Sequence, residues 1–223
     1  MTVVKKEITI GAGDVHLKAN LVVPAHPKAV IIFSHGSGSS RFSPRNNLVA
    51  NVLNANGFVT LLTDLLTLEE DRTYENRFDI SLLSKRLIEV TKRVTQLKEL
   101  NHLPIGYFGA STGAASALNA AAALPEKIGA VVSRGGRPDM AYDALPLVKA
   151  PVLLLVGGLD APVIELNKRA MDQMHCRKKM VIVNGATHLF EETGKLREVA
   201  QKACSWFDRY LIKVSKNVSE DAV

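Results

Sequence analysis

Short, uniformly apolar segments recur along the chain, separated by longer segments with helical periodicity. Six of the apolar segments are rich in β-branched residues and apolar on both faces, which is typical of strands covered on both sides. They are residues 30–33, 58–62, 105–108, 130–132, 152–156 and 180–183. Because strands of this kind occur mainly in parallel sheets, the pattern predicts a mostly parallel sheet.

The intervening segments predict helices. From residue 80 onward, apolar residues recur at three- and four-residue steps, as in a helix that packs one side on a sheet. Helices are also expected over residues 46–56, 114–124, 162–174 and 196–214, with a short one near 139–145. Residues 3–10 and 15–23 flank a Gly-Ala-Gly-Asp turn, which predicts an antiparallel hairpin. The sequence therefore predicts the α/β class: a doubly wound, mostly parallel sheet with an N-terminal antiparallel hairpin and helices on both faces.

Length and composition narrow the class of protein. The chain has 223 residues, of which 47% are apolar and 22% charged, so it can bury a core without disulfides or metal ions. We expect a single domain over residues 1–214 and a frayed tail over 215–223. The two cysteines, Cys176 and Cys204, exclude a disulfide framework and a four-cysteine zinc site.

The net charge of +6 does not by itself indicate a nucleic-acid partner. Basic residues are spread along the chain, and aromatic residues make up only 5%, too few for a surface that stacks bases. No segment has the run of apolar residues that a membrane helix needs, and the N-terminus lacks the pattern of a signal peptide. We therefore expect a cytoplasmic protein with neither a nucleic-acid nor a membrane partner.

A G-x-S-x-G motif at residues 109–113 stands between a predicted strand and a predicted helix. The sharp turn there forces the central residue, Ser111, into unfavourable backbone angles, and only small neighbours let strand and helix approach closely. Such a turn presents the serine oxygen at a helix N-terminus, where negative charge is favoured. We interpret Ser111 as a nucleophile; the alternative is a Gly/Ser turn without chemistry.

Two further polar residues follow predicted strands later in the chain. Asp160 comes after the fifth apolar segment and His188 after the sixth. Because the carboxyl ends of parallel strands meet at one edge of a sheet, both can reach Ser111. The order serine, acid, histidine is that of one class of triad enzymes. Asp160 also fits the N-cap of the next helix. His35 comes too early for the base and is interpreted as a structural residue of its turn.

A loop rich in glycine and serine follows the first apolar segment, at residues 34–40. It can direct a backbone N–H toward the nucleophile, and an oxyanion hole needs two such donors. We assign the donors to the amides of Ser37 and Thr112. Gly38 is a weaker candidate donor and a candidate contact to the substrate. A dinucleotide-binding loop is a competing interpretation, but Arg41 stands where its third glycine belongs.

These motifs make the chain resemble an α/β-hydrolase, most closely the small dienelactone-hydrolase-like branch without a lid domain. They are Ser-His-Gly-Ser-Gly at 34–38, Gly-Ala-Ser-Thr-Gly at 109–113, Val-Gly-Gly-Leu-Asp at 156–160 and Gly-Ala-Thr-His at 185–188. The resemblance covers about residues 31–210. It implies the α/β-hydrolase fold and ester cleavage through an acyl-enzyme on Ser111. It also implies that no metal or organic cofactor is needed.

Two departures from related enzymes bear on the substrate. Dienelactone hydrolases proper resemble this chain but use a cysteine nucleophile, whereas this chain has Ser111. General hydrolysis of small soluble esters, thioesters or lactones is therefore expected. The segment between residues 132 and 152 has room for only a short helix where many lipases insert a cap, so we expect an open pocket. An acyltransferase with the same triad and a non-catalytic binding module are the alternatives.

Arginines near the predicted strand ends are candidates for substrate binding. Arg41 and Arg45 lie beside the glycine- and serine-rich loop, and Arg134 and Arg137 follow the fourth apolar segment. We hypothesise that Arg134 or Arg137 pairs with a carboxylate or phosphate on the substrate. The favoured alternative is that these arginines hold loops, for example through Asp139. A monomer and a homodimer fit the sequence equally well.

Overall fold

One eight-stranded sheet runs through the protein. The computed structural model describes residues 3–212. The strands are β1 (Val4–Ala12), β2 (Val15–Val23), β3 (Ala29–Ser34), β4 (Phe58–Thr63), β5 (Ile105–Ala110), β6 (Ile128–Arg134), β7 (Val152–Gly157) and β8 (Lys178–Val183). Their order across the sheet is β1-β2-β4-β3-β5-β6-β7-β8. The pairings of β2 with β1 and β4 are antiparallel and the others are parallel, which confirms the predicted hairpin and sheet.

Five α-helices cover the two faces of this sheet. They are α1 (Pro44–Ala55), α2 (Ile80–Val94), α3 (Thr112–Ala123), α4 (Ala161–Gln173) and α5 (Lys195–Leu211). Along each central strand, alternate side chains enter opposite cores: in β3, Ile32 joins the core under α2, α3 and α4, whereas Phe33 joins the core under α1 and α5. All six residues of β3, β4, β5 and β7 are buried, in agreement with their largely apolar sequences.

Local sequence signals account for the helix starts. The hydroxyl of Ser43 accepts a hydrogen bond from the amide of Asn46, and Pro44 occupies the first position of α1. The carboxylate of Asp79 accepts one of 2.9 Å from the amide of Leu82 at the start of α2. These caps satisfy backbone donors that have no acceptor within their helix.

The connection between β6 and β7 departs from α-helical geometry. A short helix was expected near residues 139–145, and the structure has a 3-10 helix over Pro138–Leu147. The backbone at Ala141 leaves helical angles, and Pro146 has no amide proton to donate to a preceding turn. At the C-terminus, α5 ends at Leu211. The helix was predicted to residue 214, but Ile212 already has extended backbone angles. Residues 213–214 and the tail predicted over 215–223 lie outside the described residues.

The parallel strands place their carboxyl ends at one edge of the sheet. The loops after β3, β5, β6, β7 and β8 therefore converge there, and this edge carries the predicted site residues. β8 is the last strand of the sheet and pairs only with β7. Across residues 3–212, helices fall short of the length and hydropathy that crossing a bilayer requires.

Candidate active site

Ser111 occupies the turn between β5 and α3 in a strained backbone conformation. Its φ of 52° and ψ of −124° are unusual for a residue that has a side chain. A Cβ atom on Gly113 would overlap the carbonyl oxygen of Ser34, and one on Gly109 would lie 2.5 Å from Cα of Ala114. The two glycines thus allow α3 to begin directly against β3 and β5, and the turn places Ser111 at the start of that helix.

The side chains of Ser111, His188 and Asp160 form a continuous chain of hydrogen bonds. Oγ of Ser111 lies 3.3 Å from Nε2 of His188. Nδ1 of His188 lies 2.7 Å from Oδ2 of Asp160. The side chain of Asp160 is 14% exposed and that of His188 37% exposed, so the acid is sheltered while the imidazole borders solvent. The structure thus brings together the three residues that the sequence order singled out.

The side chain of Asp160 bonds to the imidazole of His188 and does not cap α4. It stands at the N-cap position of α4, but its side chain makes no capping hydrogen bond. Its backbone amide donates to the carbonyl oxygen of Gly157 at 3.1 Å, which closes a tight turn after β7. The N-cap role expected as an alternative is therefore absent for the side chain, which instead accepts from His188.

The loop after β8 holds His188 from both sides. Phe190, two residues further on, is fully buried and has a φ of 59°, so the chain turns sharply as its ring enters the core. The amide of Thr187 donates to Oε1 of Glu192 at 3.0 Å, and hydrogen bonding from Thr187 lowers the pKa of that carboxyl. Against the imidazole, a Cβ on Gly135 would lie 3.5 Å from Cε1 of His188. The turn at Phe190 and the hydrogen bond of Thr187 thus flank the residue whose ring faces Ser111.

The two predicted oxyanion donors lie next to each other, but one already has an acceptor. A Cβ on Gly36 would lie 3.1 Å from Cβ of Ser111, so the loop after β3 approaches the serine closely. The amide of Ser37 donates to Oγ1 of Thr112 at 2.8 Å. The amide of Thr112 is the first of α3 and has no acceptor within that helix. The hydroxyl of Thr112 is an addition to the site that sequence reasoning missed.

Gly38 and His35 lie in the same loop after β3 and differ in their surroundings. Gly38 has a φ of 66° inside a turn closed by the amide of Ser39, and nothing surrounds the position of a Cβ there. Nδ1 of His35 lies 3.0 Å from the carbonyl oxygen of Gly36, and Nε2 accepts from the amide of Leu65 at 3.1 Å. Burial lowers the pKa of His35, which favours the neutral ring that this pattern requires. His35 is structural, as expected.

Arg134 and Arg137, which the sequence left as equal candidates for substrate binding, have different surroundings in the structure. Arg137 donates from Nε and Nη2 to the carboxylate of Asp139, at 2.9 and 2.8 Å, and so holds its own loop. Arg134 is 6% exposed and has no carboxylate partner among residues 3–212. Arg41 pairs with Asp64, and Arg45 lies 2.6 Å from Glu191. Arg137, Arg41 and Arg45 therefore pair with acidic residues, as the loop-holding alternative expects, and Arg134 does not.

The site has no arrangement suited to a metal ion in the part of the chain that is described. Among residues 3–212, histidine, cysteine and acidic side chains do not gather in threes at a distance that could hold a metal ion. Cys204 is buried on α5, and burial raises the pKa of its thiol to about 11. The chemistry available at this edge is that of a serine hydroxyl, an imidazole, a carboxylate and backbone amides.

Known proteins share this fold and much of this sequence. A dienelactone hydrolase from Anabaena variabilis is 52% identical, and its crystal structure superposes with a TM-score of 0.92 over 95% of this chain and 100% of that chain. Est1E from Butyrivibrio proteoclasticus is 18% identical with a TM-score of 0.78 over 91% of this chain and 98% of that chain, which shows a common fold.

A longer relative comes from Mycobacterium tuberculosis. It is provisionally named a phosphoribosyl transferase and is 52% identical over 206 residues. Those residues make up 92% of this chain but 46% of the relative, so the chain spans about half the length of the curated relatives that it matches.

The sequence model of one family covers most of the residues described above. It matches residues 17–212, which include the strand-to-helix turn at Ser111 and the loops that carry Asp160 and His188. Together with the Anabaena structure, this match shows that the chain belongs to the dienelactone hydrolase family.

Proposed function

We propose that this protein is a serine hydrolase that cleaves carboxylic ester bonds through an acyl-enzyme on Ser111. The hydrogen-bond chain from Ser111 through His188 to Asp160 carries the proposal. Membership of a hydrolase family supports the reaction class. The substrates are small soluble esters, thioesters or lactones, and the reaction uses no metal ion or organic cofactor.

His188 acts first as a base. With the proton of its imidazole on Nδ1, directed at Asp160, the lone pair of Nε2 faces the hydroxyl of Ser111. Oγ attacks the carbonyl carbon while its proton passes to Nε2, and Asp160 stabilises the resulting imidazolium. The separation of 3.3 Å between Oγ and Nε2 is at the long end for a hydrogen bond, as is common before a substrate binds.

The reaction then proceeds through acylation and deacylation, each with its own tetrahedral intermediate. The carbon–oxygen bond to the alcohol breaks, and the alcohol leaves with the proton from His188, so that the acyl group stays on Ser111. Water next gives a proton to His188 and attacks the acyl carbon. The acid departs as the serine oxygen takes the proton back, and the starting state is restored.

The amides of Thr112 and Ser37 bind the oxyanion that forms at each stage. Each donor of this kind contributes roughly 2.7–4 kcal/mol to transition-state stabilisation in enzymes where it has been removed. The amide of Ser37 donates to Oγ1 of Thr112 before substrate binds, so it exchanges that acceptor for the oxyanion during the reaction.

The name of the mycobacterial relative does not bear on this reaction. Phosphoribosyl transfer is attributed to a protein of which this chain matches 46%. We propose that such an activity belongs to the portion that the chain does not match, and that the portion in common is the hydrolase.

The proposal is tested with purified protein and 4-nitrophenyl acetate and butyrate. Turnover is measured for the wild type, Ser111→Ala and Asp160→Asn, with Ser205→Ala as the control because Ser205 is an exposed serine on α5. Labelling by a fluorophosphonate is mapped by mass spectrometry. We expect Ser111→Ala to lower turnover by about 10⁶-fold and Asp160→Asn by about 10⁴-fold, as in other triad enzymes.

Three outcomes are distinguishable. Label on Ser111, with loss of turnover only in the two site variants, supports the acyl-enzyme. Ester cleavage that yields a new ester when an alcohol is added at millimolar concentration indicates an acyltransferase on the same residues. Absence of label on Ser111 together with absence of turnover in the wild type contradicts the proposal and favours a binding module.

A further inference from the structure

The segment of residues 134–137, at the end of β6, bonds to the backbone of Ser111 on both sides. The amide of Ser111 donates to the carbonyl oxygen of Arg134 at 3.1 Å, and the amide of Arg137 donates to the carbonyl oxygen of Ser111 at 3.1 Å. A residue that has a side chain keeps a φ of 52° only where its surroundings enforce that angle. These two hydrogen bonds are therefore part of what holds the serine turn in its strained form.

A buried asparagine on α4 bonds to the same segment. The side chain of Asn167 donates from Nδ2 to the carbonyl oxygen of Gly136 at 3.0 Å and to that of Val163, one turn earlier in α4, at 2.8 Å. Because both partners are carbonyl oxygens, the atom that faces them is the amide nitrogen. Gly136 lies between the two residues that bond to Ser111, so a single loop residue connects Asn167 to the backbone of the nucleophile.

Gly136 is packed closely against the start of α3. A Cβ atom there would lie 2.6 Å from Cβ of Ala114 and would overlap Oγ of Ser133. The preceding residue, Gly135, is held as well, since its amide donates to the carbonyl oxygen of Leu155 at 2.8 Å. Because closely packed interiors transmit displacements, a shift of Gly136 reaches the helix that begins at the serine turn.

The buried amide of Asn167 is only partly satisfied. The residue is 0% exposed, and within residues 3–212 its Oδ1 has no hydrogen-bond partner. A buried polar atom without a partner lowers the free energy of unfolding, and this loss offsets part of what the two bonds from Nδ2 contribute. The net gain in stability is therefore small, and what the asparagine provides is a fixed position for Gly136.

The helix that carries Asn167 begins at the acid of the hydrogen-bond chain. Asp160 stands at the N-cap of α4, seven residues or about two turns before Asn167. The side chain of Asp160 bonds to His188, and that of Asn167 bonds to the segment that holds Ser111. One helix therefore connects the acid to the backbone of the nucleophile.

We propose that Asn167 is a positioning residue for the nucleophile: it holds the carbonyl of Gly136, and so keeps Oγ of Ser111 where its proton can pass to His188. The inference rests on the proposed hydrolase function and adds a residue that acts through the loop. A displacement of about 1 Å at a reacting group lowers the rate by roughly 100-fold. Loss of Asn167 is therefore expected to act on kcat and to leave KM nearly unchanged.

Two variants of Asn167 and one control separate positioning from stability. Asn167→Leu keeps a similar volume and removes the donor. Asn167→Thr keeps a hydroxyl that can bond to the carbonyl of Val163 but is too short to reach Gly136, and it serves if Asn167→Leu does not fold. The control is Asn54→Leu, which removes a 3.0 Å hydrogen bond between α1 and Thr60 of β4 and does not involve the segment 134–137.

Kinetics with 4-nitrophenyl butyrate are measured well below the Tm of each variant. We expect both Asn167 variants to lower kcat by about 10- to 100-fold and to change KM by less than about threefold. The rate of fluorophosphonate labelling should fall by the same factor, because it reports attack by Ser111 directly. The pH profile of kcat/KM should keep its midpoint, since the bond between Asp160 and His188 is untouched. Asn54→Leu should retain kcat within about twofold.

A second measurement does not depend on hydrolysis. Ser111→Gly and Ser111→Ala are compared by urea unfolding, with and without Asn167→Thr. Glycine relieves the strain that the segment 134–137 imposes, so the difference between the two urea midpoints should narrow by about half or more when Asn167 is replaced. A narrowed difference supports the positioning role.

The outcomes distinguish this proposal from the hydrolase itself. Variants of Asn167 that are less stable but keep the wild-type kcat overturn the positioning role alone. An equal loss of kcat in Asn54→Leu also overturns it, because the effect is then one of stability. Absence of label on Ser111 in the wild type overturns the hydrolase, and the urea comparison then decides whether Asn167 holds the serine turn. An unchanged difference between the midpoints would show that it does not.

Discussion

The backbone amide of Ser37 donates a 2.8 Å hydrogen bond to the side-chain hydroxyl of Thr112. Thr112 is 4% exposed and directly follows Ser111, so this bond ties the loop after β3 to the start of α3. The same amide is one of the two proposed oxyanion donors. The hydroxyl ties the loop to the helix and, under the proposed mechanism, competes with the oxyanion for that donor.

Thr112→Val keeps the shape of the side chain and removes the acceptor. We expect the free energy of unfolding to fall by about 1 kcal/mol, because the sheltered amide of Ser37 loses its partner. We also expect kcat to rise by about two- to fivefold, because that amide no longer has to leave an acceptor before it binds the oxyanion. Thr112→Ser retains the hydroxyl and is the control in both assays. A fall in kcat for Thr112→Val would mean that the hydroxyl positions the amide.

Ser111 is held at a positive φ, which predicts an order of stability among its variants. Both Ser111→Ala and Ser111→Gly lack the nucleophile, but only glycine adopts a φ of 52° without steric conflict. We expect Ser111→Gly to be more stable than Ser111→Ala by about 1–2 kcal/mol in urea unfolding. Equal stability of the two variants would show that the turn carries no strain.

The contact between Gly113 and Ser34 predicts a severe effect for one added methyl group. A Cβ on Gly113 meets backbone atoms of β3 that cannot move aside without separating α3 from the sheet. We expect Gly113→Ala to lower the free energy of unfolding by about 3 kcal/mol or to prevent folding. Gly11→Ala is the matched control, since no atom lies within 4 Å of a Cβ there. A Gly113→Ala protein as stable as Gly11→Ala would contradict the packing described here.

Because His35 is buried as a neutral ring, we expect the free energy of unfolding to fall on acidification. In the folded protein the pKa of His35 lies below the unfolded value of about 6.5. Below pH 6.5 the unfolded chain therefore binds more protons at this residue than the folded protein does. The stability that the neutral ring supplies is complete above pH 6.5. It declines as the pH falls toward the folded pKa, by up to about 1.4 kcal/mol per pH unit.

Urea unfolding at pH 7.5 and pH 5.5 tests this expectation. We expect the wild type to lose about 1 kcal/mol more between the two values than His35→Asn, which keeps a donor and an acceptor but has no proton to gain. His102→Asn, at an exposed position, should lose as much as the wild type. Equal losses in wild type and His35→Asn would show that His35 is not the titrating group.

The sequence was sufficient to predict what depends on local pattern. Uniformly apolar segments identified the strands, and the position of Asp160 and His188 just after strands indicated that they would meet Ser111. This inference works because parallel strands bring the loops after them to one edge, whatever the loops contain.

The remaining features depend on contacts between distant segments. Arg134 ends β6 and Arg137 is three residues further on, yet the first is buried near Phe190 and the second reaches Asp139. Local sequence cannot separate them, because the difference arises from α1 and the loop after β8. The hydrogen bond from Ser37 to Thr112 likewise cannot be predicted from local sequence, because its partners are 75 positions apart.

The residue proposed as the base follows a strand at the margin of the sheet. His188 follows β8, which has a neighbour on one side only, whereas Ser111 follows β5 in the middle of the sheet. Opening of β8 alone would therefore withdraw the imidazole while the serine turn stays intact. We expect heating to abolish ester turnover several degrees below the melting of the helices followed by circular dichroism, with amide exchange in β8 preceding that in β5. Coincident loss of activity and helicity would instead mean that the sheet opens as one unit.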